Sequence, residues 1–193
     1  MPILGTAASQ NTKTFLSSPA YDSIATTTVG SGGTATVTFS SIPATYTHLQ
    51  IRFLAQSSRT SSDSGDFFLV KFNSDSGANY NYGHQVLMNN NTGSCYANGN
   101  NGTSMVIERI QNYETSASSF TAGVTDILDY ANTNKYKTMR SLLGYTTNSV
   151  YSQLNFCSAL WMSTAAVSNI SISLAYGPIT QYSKIALYGI RGA

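Results

Sequence analysis

The chain is organised by alternation. In "THLQIRFLAQ", Leu49, Ile51 and Phe53 fall on one side and His48, Gln50 and Arg52 on the other, the period-two pattern of a half-buried strand. Val37 and Phe39 alternate with Thr36 and Thr38 in the same way. Pro43 closes that run, because it has no N–H to give to a ladder. "YDSIATTTVGSGGTATVTF" therefore reads as strand, Gly-rich hairpin turn at Gly30–Gly33, and strand. "FFLVKFN" and the short "HQVLMN" are strands, and "MVIERIQN" sets Val106, Glu108 and Ile110 against Ile107 and Arg109. "SSFTAGVTDILDY" and "YKTMRSLLGYTT" flank "ANTN" and predict a hairpin. "SQLNFCSALWM", "SNISISLAY" and "YSKIALYGI" add three strands. The stretches "SDSGANYNYG" and "NNTGSCYANGNNGTS" read as loops, and Cys95 lies in the second.

No segment carries a convincing helical period; "STAAVSN" has room for one short turn. We find no internal repeat. Roughly ten short strands separated by turn signals predict an all-β protein, an antiparallel two-sheet sandwich of jelly-roll-like form. It spans 20–193. Residues 1–19 read as an extended N-terminal arm, small and polar with two apolar footholds, Ile3–Leu4 and Phe15–Leu16. Such an arm cannot bury enough surface to fold alone and orders only against a partner or its own domain.

Composition sharpens this. The chain has 193 residues, enough for one domain with a full core, but only 9% are charged, against about 25% in ordinary proteins. Ser, Thr, Asn, Gly and Tyr take the place of Lys and Glu, which favours strands and turns over helices. The surface is kept soluble by hydroxyls and amides, as suits assemblies that pack many copies without mutual repulsion. A net charge of +2 with scattered basic residues predicts no nucleic-acid partner. The N-terminus lacks a basic n-region and an apolar h-region, and no apolar run approaches the length of a membrane span. Cys157 reads as a buried free thiol rather than half of a disulfide with Cys95, consistent with synthesis in a cytoplasm.

Candidate chemistry is sparse. "GSGG" is followed by a β-run rather than a helix, so it does not read as a phosphate loop. "NSDSG" at Asn73–Gly77, with Asp63 and Asp66 upstream, faintly resembles a calcium loop but lacks the later Glu and reads as an Asx-type turn. His48 and His84 stand alone and form no metal site. Asp126, Asp129, Lys135, Lys137 and Arg140 crowd one stretch, yet Asp126 and Asp129 are three apart on a strand and face opposite ways. That stretch predicts a hairpin with its charges at its exposed end or against a neighbour, not a catalytic pair. Trp161 reads as core. Tyr80, Tyr82, Tyr96 and Tyr151 lie near loops, where tyrosine contacts glycans or fills interfaces; Tyr113 and Tyr145 belong to the same set.

"YDSIATTTVGSGGTATVTFSSIPATYTHLQIR", "KFNSDSGANYNY", "ILDYANTNKYKTMRSL", "LWMSTAAVSNISIS" and "YSKIALYGIRGA" resemble a family of small proteins encoded by tailed bacteriophages of aquatic bacteria, cyanophages included. The resemblance runs from Tyr21 to Ala193. It implies a β-sandwich structural or fibre-like protein on the virion surface, made in the bacterial host cytoplasm, and carries no catalytic, cofactor or metal residue. The expectation is a capsid decoration, cement or head-appendage protein, not an enzyme. Its expected partners are copies of itself in a homotrimer and the major capsid protein or a fibre or tail base protein, with the arm residues Ile3, Leu4, Phe15 and Leu16 as anchor. The alternative is a tail-fibre tip or receptor-binding module that recognises host glycan.

Overall fold

A computed structural model describes residues 20–60, 65–88, 93–112, 118–146 and 152–192, leaving aside the side chains of 84–88 and 93–100. Among these residues there are twelve strands and no helix. They are β1 (Tyr21–Thr28), β2 (Thr36–Phe39), β3 (His48–Ala55), β4 (Asp66–Phe72), β5 (Tyr80–Met88), β6 (Gly93–Gly102), β7 (Met105–Ile110), β8 (Thr121–Leu128), β9 (Lys137–Thr146), β10 (Ser152–Trp161), β11 (Ile170–Leu174) and β12 (Lys184–Ile190). Two sheets form, ordered β1-β12-β3-β8-β9-β10-β5-β6 and β2-β11-β4-β7, and every strand pair is antiparallel.

The order explains the architecture. Strands β1 to β4 alternate between the sheets, and so do β7, β8, β11 and β12. Together they place β1-β12-β3-β8 in one sheet and β2-β11-β4-β7 in the other, the connectivity of a jelly roll. Strands β5, β6, β9 and β10 come between these and widen one sheet only. The jelly-roll-like sandwich expected from the alternation is therefore the fold.

The core lies between the sheets, as the alternation requires. Leu49, Ile51 and Phe53 of β3 meet Phe68, Val70 and Phe72 of β4, and all are buried. The Phe53 and Phe68 rings stack with centroids 4.5 Å apart. Gly123 makes room for this stack, since a Cβ there would fall 2.1 Å from the Phe53 ring. Burying six such side chains contributes roughly 10 kcal/mol, at about 1.5–3 kcal/mol each.

Three departures from the sequence reading have local causes. Gly30–Gly33 does make a turn, with Gly33 N–H bonded to Gly30 O (3.2 Å), but it joins strands of different sheets rather than a hairpin. Gly33 adopts φ +73°, and a Cβ there would lie 2.7 Å from Ile179 O, so the crossing depends on glycine. The stretch "NNTGSCYANGNNGTS" is not all loop: Gly93–Gly102 pairs with β5 as the edge strand β6, and Cys95 sits opposite Gln85 within it. Strand β7 does not alternate throughout. A bulge at Glu108 (φ 127°) shifts its register against β4, so Met105, Ile107, Glu108 and Ile110 are all buried.

Candidate functional surfaces

The charged hairpin forms where expected: β8 and β9 pair from Ala122↔Gly144 to Leu128↔Thr138. On its outer face, Asp126 accepts from Gln50 Nε2 (2.8 Å) and Arg140 Nε (3.1 Å). Asp129 lies beyond the strand end, pairs with Lys135, and donates its backbone N–H to His48 Nδ1 at 3.0 Å. The hydrogen bond from Lys135 holds the Asp129 carboxyl below its usual range. The two carboxylates thus serve different partners.

Lys137 is the member of the set that lies against its neighbours, because it is fully buried. Its Nζ donates to the carbonyls of Asn132 (2.6 Å), Lys135 (2.8 Å) and Thr164 (3.1 Å). These three acceptors match the three protons of an ammonium group. Burial holds its pKa below the ordinary lysine value.

Asp75 in "NSDSG" makes the expected Asx-type turn, accepting Gly77 N–H at 2.8 Å. It also accepts Trp161 Nε1 at 2.7 Å and Asn79 Nδ2 at 3.0 Å. These bonds, the indole one foremost, lower its pKa. Trp161 is core, as expected, at 2% exposure. Asp66 is no calcium ligand in this arrangement. Its buried oxygens accept the N–H groups of Ala175 (3.1 Å), Tyr176 (3.1 Å) and Gly177 (3.0 Å), and the Ser57 hydroxyl (2.7 Å). Asp63 lies outside the described residues.

The tyrosines divide. Tyr80 is fully buried, its hydroxyl accepting from Phe72 N (3.2 Å) and donating to Asp75 O (3.1 Å). Burial raises its pKa to about 12. It packs against Trp161 and presents no surface for a glycan or a partner, which corrects its assignment as a contact residue. Tyr145 is also buried and Tyr82 is half-buried. The side chains of Tyr96, Tyr113, Tyr151 and His84, and the arm residues Ile3, Leu4, Phe15 and Leu16, lie outside the described residues. Among the described residues the exposed aromatics are Tyr21, Tyr136, Phe156, Tyr176 and Tyr182, none of them in the set the sequence singled out, and the last two are 64% and 73% exposed. Tyr176 is held in place by the Asp66 loop and by Arg59, whose guanidinium lies 4.3 Å from its ring centroid. The sequence pattern ran a strand through "SNISISLAY" to Tyr176, but β11 ends at Leu174 and Tyr176 lies in the loop that Asp66 binds.

Inside the widened half of the large sheet, Cys157 is a buried free thiol, as expected, 3.2 Å from Val106 O and raised by burial to about 12. Beside it on β10, Asn155 is fully buried, and neither polar atom of its side chain has a hydrogen-bond partner among the described residues.

The outer face of the large sheet carries a groove of about 670 Å³. Its floor is Ala122, Gly123, Val124 and Gly144, and its walls include Arg52, Leu54, Leu142, Leu154, Lys184 and Tyr188. Register explains it. Leu54 opposes Ala122, Ala122 opposes Gly144, and Gly144 opposes Leu154, so two small residues sit between two large ones. Leu54, Leu142, Leu154 and neighbouring Phe156 are 39–51% exposed, a contiguous apolar face of the kind monomers seldom leave bare.

No protein-family model matches this chain, and no match is found among curated proteins.

Proposed function

We propose that this protein is a structural component of a phage particle surface, a capsid decoration or head-appendage protein. The observation that carries the reading is the jelly-roll order β1-β12-β3-β8 over β2-β11-β4-β7. That connectivity recurs in shell-forming viral proteins, and as a fold-level likeness it sets a prior rather than an activity. The resemblance of the quoted segments to small phage proteins points the same way. So does part of the surface: on the outer face of the small sheet, Ser171 and Ser173 oppose Thr38 and Thr36, hydroxyl against hydroxyl, an uncharged patch bordered by Lys71 of β4. In this reading the arm anchors the domain to the shell, and a homotrimer covers sheet edges that β1 and β6 leave open.

Immunogold labelling of intact particles tests the proposal. Label spread over the head supports decoration, and label confined to the tail rejects it in favour of a fibre component. Deleting Met1–Ser18 is expected to abolish incorporation while leaving the domain folded. A truncated protein that still joins particles removes the anchor role.

A second reading, a fibre-tip module that binds host glycan, is favoured by the exposed rings of Tyr176 and Tyr182, since aromatic faces stack on sugars. A glycan array on the isolated protein decides it. Binding that is lost in Tyr176→Ala supports this reading, and silence across host polysaccharides rejects it.

A further inference from the structure

Strand β1 ends the large sheet and β2 ends the small one, and a cleft of about 550 Å³ runs between these two edges. That volume is in the range of small-molecule sites, about 300–1,000 Å³. The polar groups of the cleft are the side-chain hydroxyls of Ser23, Thr27, Thr38, Ser40 and Ser41. Among the described residues, none of these five hydroxyls is taken by another protein group. The apolar surface comes from Ile24, Ala25, Phe39 and Pro43, and no charged residue lines the cleft.

The segment that follows β2 is held firmly. Ser41 adopts φ 55°, in the left-handed region that a residue with a side chain rarely enters. Such a conformation persists only where its surroundings enforce it, and it concentrates at binding sites. Here the enforcement is visible. Ile42 is buried and donates its N–H to Ser168 O at 3.0 Å. The buried Tyr130 donates its hydroxyl to Pro43 O and accepts the Tyr46 N–H at 3.4 Å. The Tyr46 ring rests on Gly189, where a Cβ would fall 2.4 Å from it. The Ser40 and Ser41 hydroxyls are therefore offered to the cleft from a fixed frame, which lowers the ordering cost of binding.

The chemistry then selects an occupant. An added β-strand is disfavoured, because β1 carries a bulge between Ser23 and Ala25 and β2 is only four residues long, two devices by which sheet edges resist further pairing. A charged ligand finds no counter-charge on the lining. A hydroxyl both donates and accepts, so a set of them matches a ligand whose own groups do the same. The apolar residues among them match the C–H face of a sugar ring. We propose that the cleft between β1 and β2 binds a neutral saccharide, with Thr27, Thr38 and Ser41 bonding its hydroxyls and Ile24 and Phe39 packing against its ring. This site is separate from Tyr176 and Tyr182. It stands whether or not the protein belongs to a particle, and in a homotrimer it requires the β1 edge to stay uncovered.

The test is saturation-transfer NMR on the full chain with maltose, cellobiose and lactose, and with N-acetylneuraminic acid as the charged comparison. The expected result is transfer to at least one neutral disaccharide and none to the acid. Replacing Thr27→Val and Thr38→Val together keeps side-chain shape and removes two hydroxyls, and is expected to weaken that binding at least tenfold. Ser40→Ala, at an exposed position, gives the same reading if the double variant loses its fold. Tyr176→Ala is expected to leave the binding unchanged. Silence toward all three disaccharides, equal transfer to the acid, or binding indifferent to the hydroxyl removals would overturn the proposal. Loss of binding in Tyr176→Ala would overturn it as well, by placing the saccharide on the exposed aromatics and not in the cleft.

Discussion

Asp66 and Lys137 carry ionisable groups into the interior, and both are held chiefly by backbone: three N–H groups and a serine hydroxyl for Asp66, three carbonyls for Lys137. Asp126 and Arg140 do the opposite. They face each other across the β8–β9 hairpin, with the arginine side chain 69% exposed. The difference teaches where an ionisable residue matters in a chain so poor in them. At the surface, water replaces either partner. In the interior, each group is the stitch that closes a loop. Asp66 gathers residues 175–177 onto the start of β4, and Lys137 gathers the 132–135 turn and Thr164 onto the start of β9.

The comparison breaks first at Asp66. Asp66→Ala leaves three N–H groups and a hydroxyl without their acceptor, and an unsatisfied buried polar group costs about 1–3 kcal/mol. Allowing for water entry, a loss of about 4 kcal/mol is expected, read as a lowered midpoint in chemical denaturation. Asp66→Asn keeps one acceptor oxygen and is expected to lose less. Equal losses would mean that the one oxygen asparagine retains contributes nothing by itself.

Lys137→Met comes next. It keeps the length of the side chain and removes the donors to three carbonyls. The relief of not burying an ammonium offsets part of the damage, so about 3 kcal/mol is expected. A neutral or stabilising result would show that desolvation outweighs the three hydrogen bonds.

These two residues also show what the sequence could and could not reveal. Alternation exposed the strands and the core because burial follows period two wherever one face is covered, as at Leu49, Ile51 and Phe53. It failed at Gly93–Gly102, where glycine and asparagine have little strand preference and β6 forms because the edge of β5 offers it a ladder. It failed at Glu108, where one bulged residue turns the pattern over. Lys137 reads as a solvated charge on any local rule, since its three acceptors come from Asn132, Lys135 and Thr164 and only the folded chain brings them together. The groove is hidden for the same reason: Ala122 and Gly144 are unremarkable until register sets them side by side. Tyr80 shows the converse error, a loop-flanking tyrosine that the core claims.

Between the buried and the exposed groups stands Asp75, partly buried and bonded to the buried indole of Trp161. Asp75→Ala is expected to cost about 2 kcal/mol, because Trp161 Nε1 loses its acceptor. Its titration adds a second readout. The Trp161, Asn79 and Gly77 bonds lower the folded pKa below that of the unfolded chain. Between the two values the unfolded state binds more protons, so this contribution is complete above the unfolded carboxylate range and is lost as pH falls through the folded pKa. Wild type and Asp75→Ala should therefore differ most near neutrality and converge in acid. Parallel pH profiles would show that the loss comes from packing alone.

The smallest effect is expected where the sequence most invites attention. Arg140→Gln removes the cation facing Asp126, yet Gln50 Nε2 still donates to that carboxylate at 2.8 Å. The arginine is mostly in water, where an ion pair contributes about 0–1 kcal/mol and salt screens it. We expect a change below about 0.5 kcal/mol at moderate salt, shrinking further as salt is raised. Lys137→Met should hold its full cost over the same range, because its partners are neutral carbonyls out of reach of the ions. Measuring both variants at low and high salt separates the two kinds of charge in one experiment. A salt-insensitive loss above about 1 kcal/mol for Arg140→Gln would place that pair with the interior stitches and erase the distinction between the hairpin's two faces.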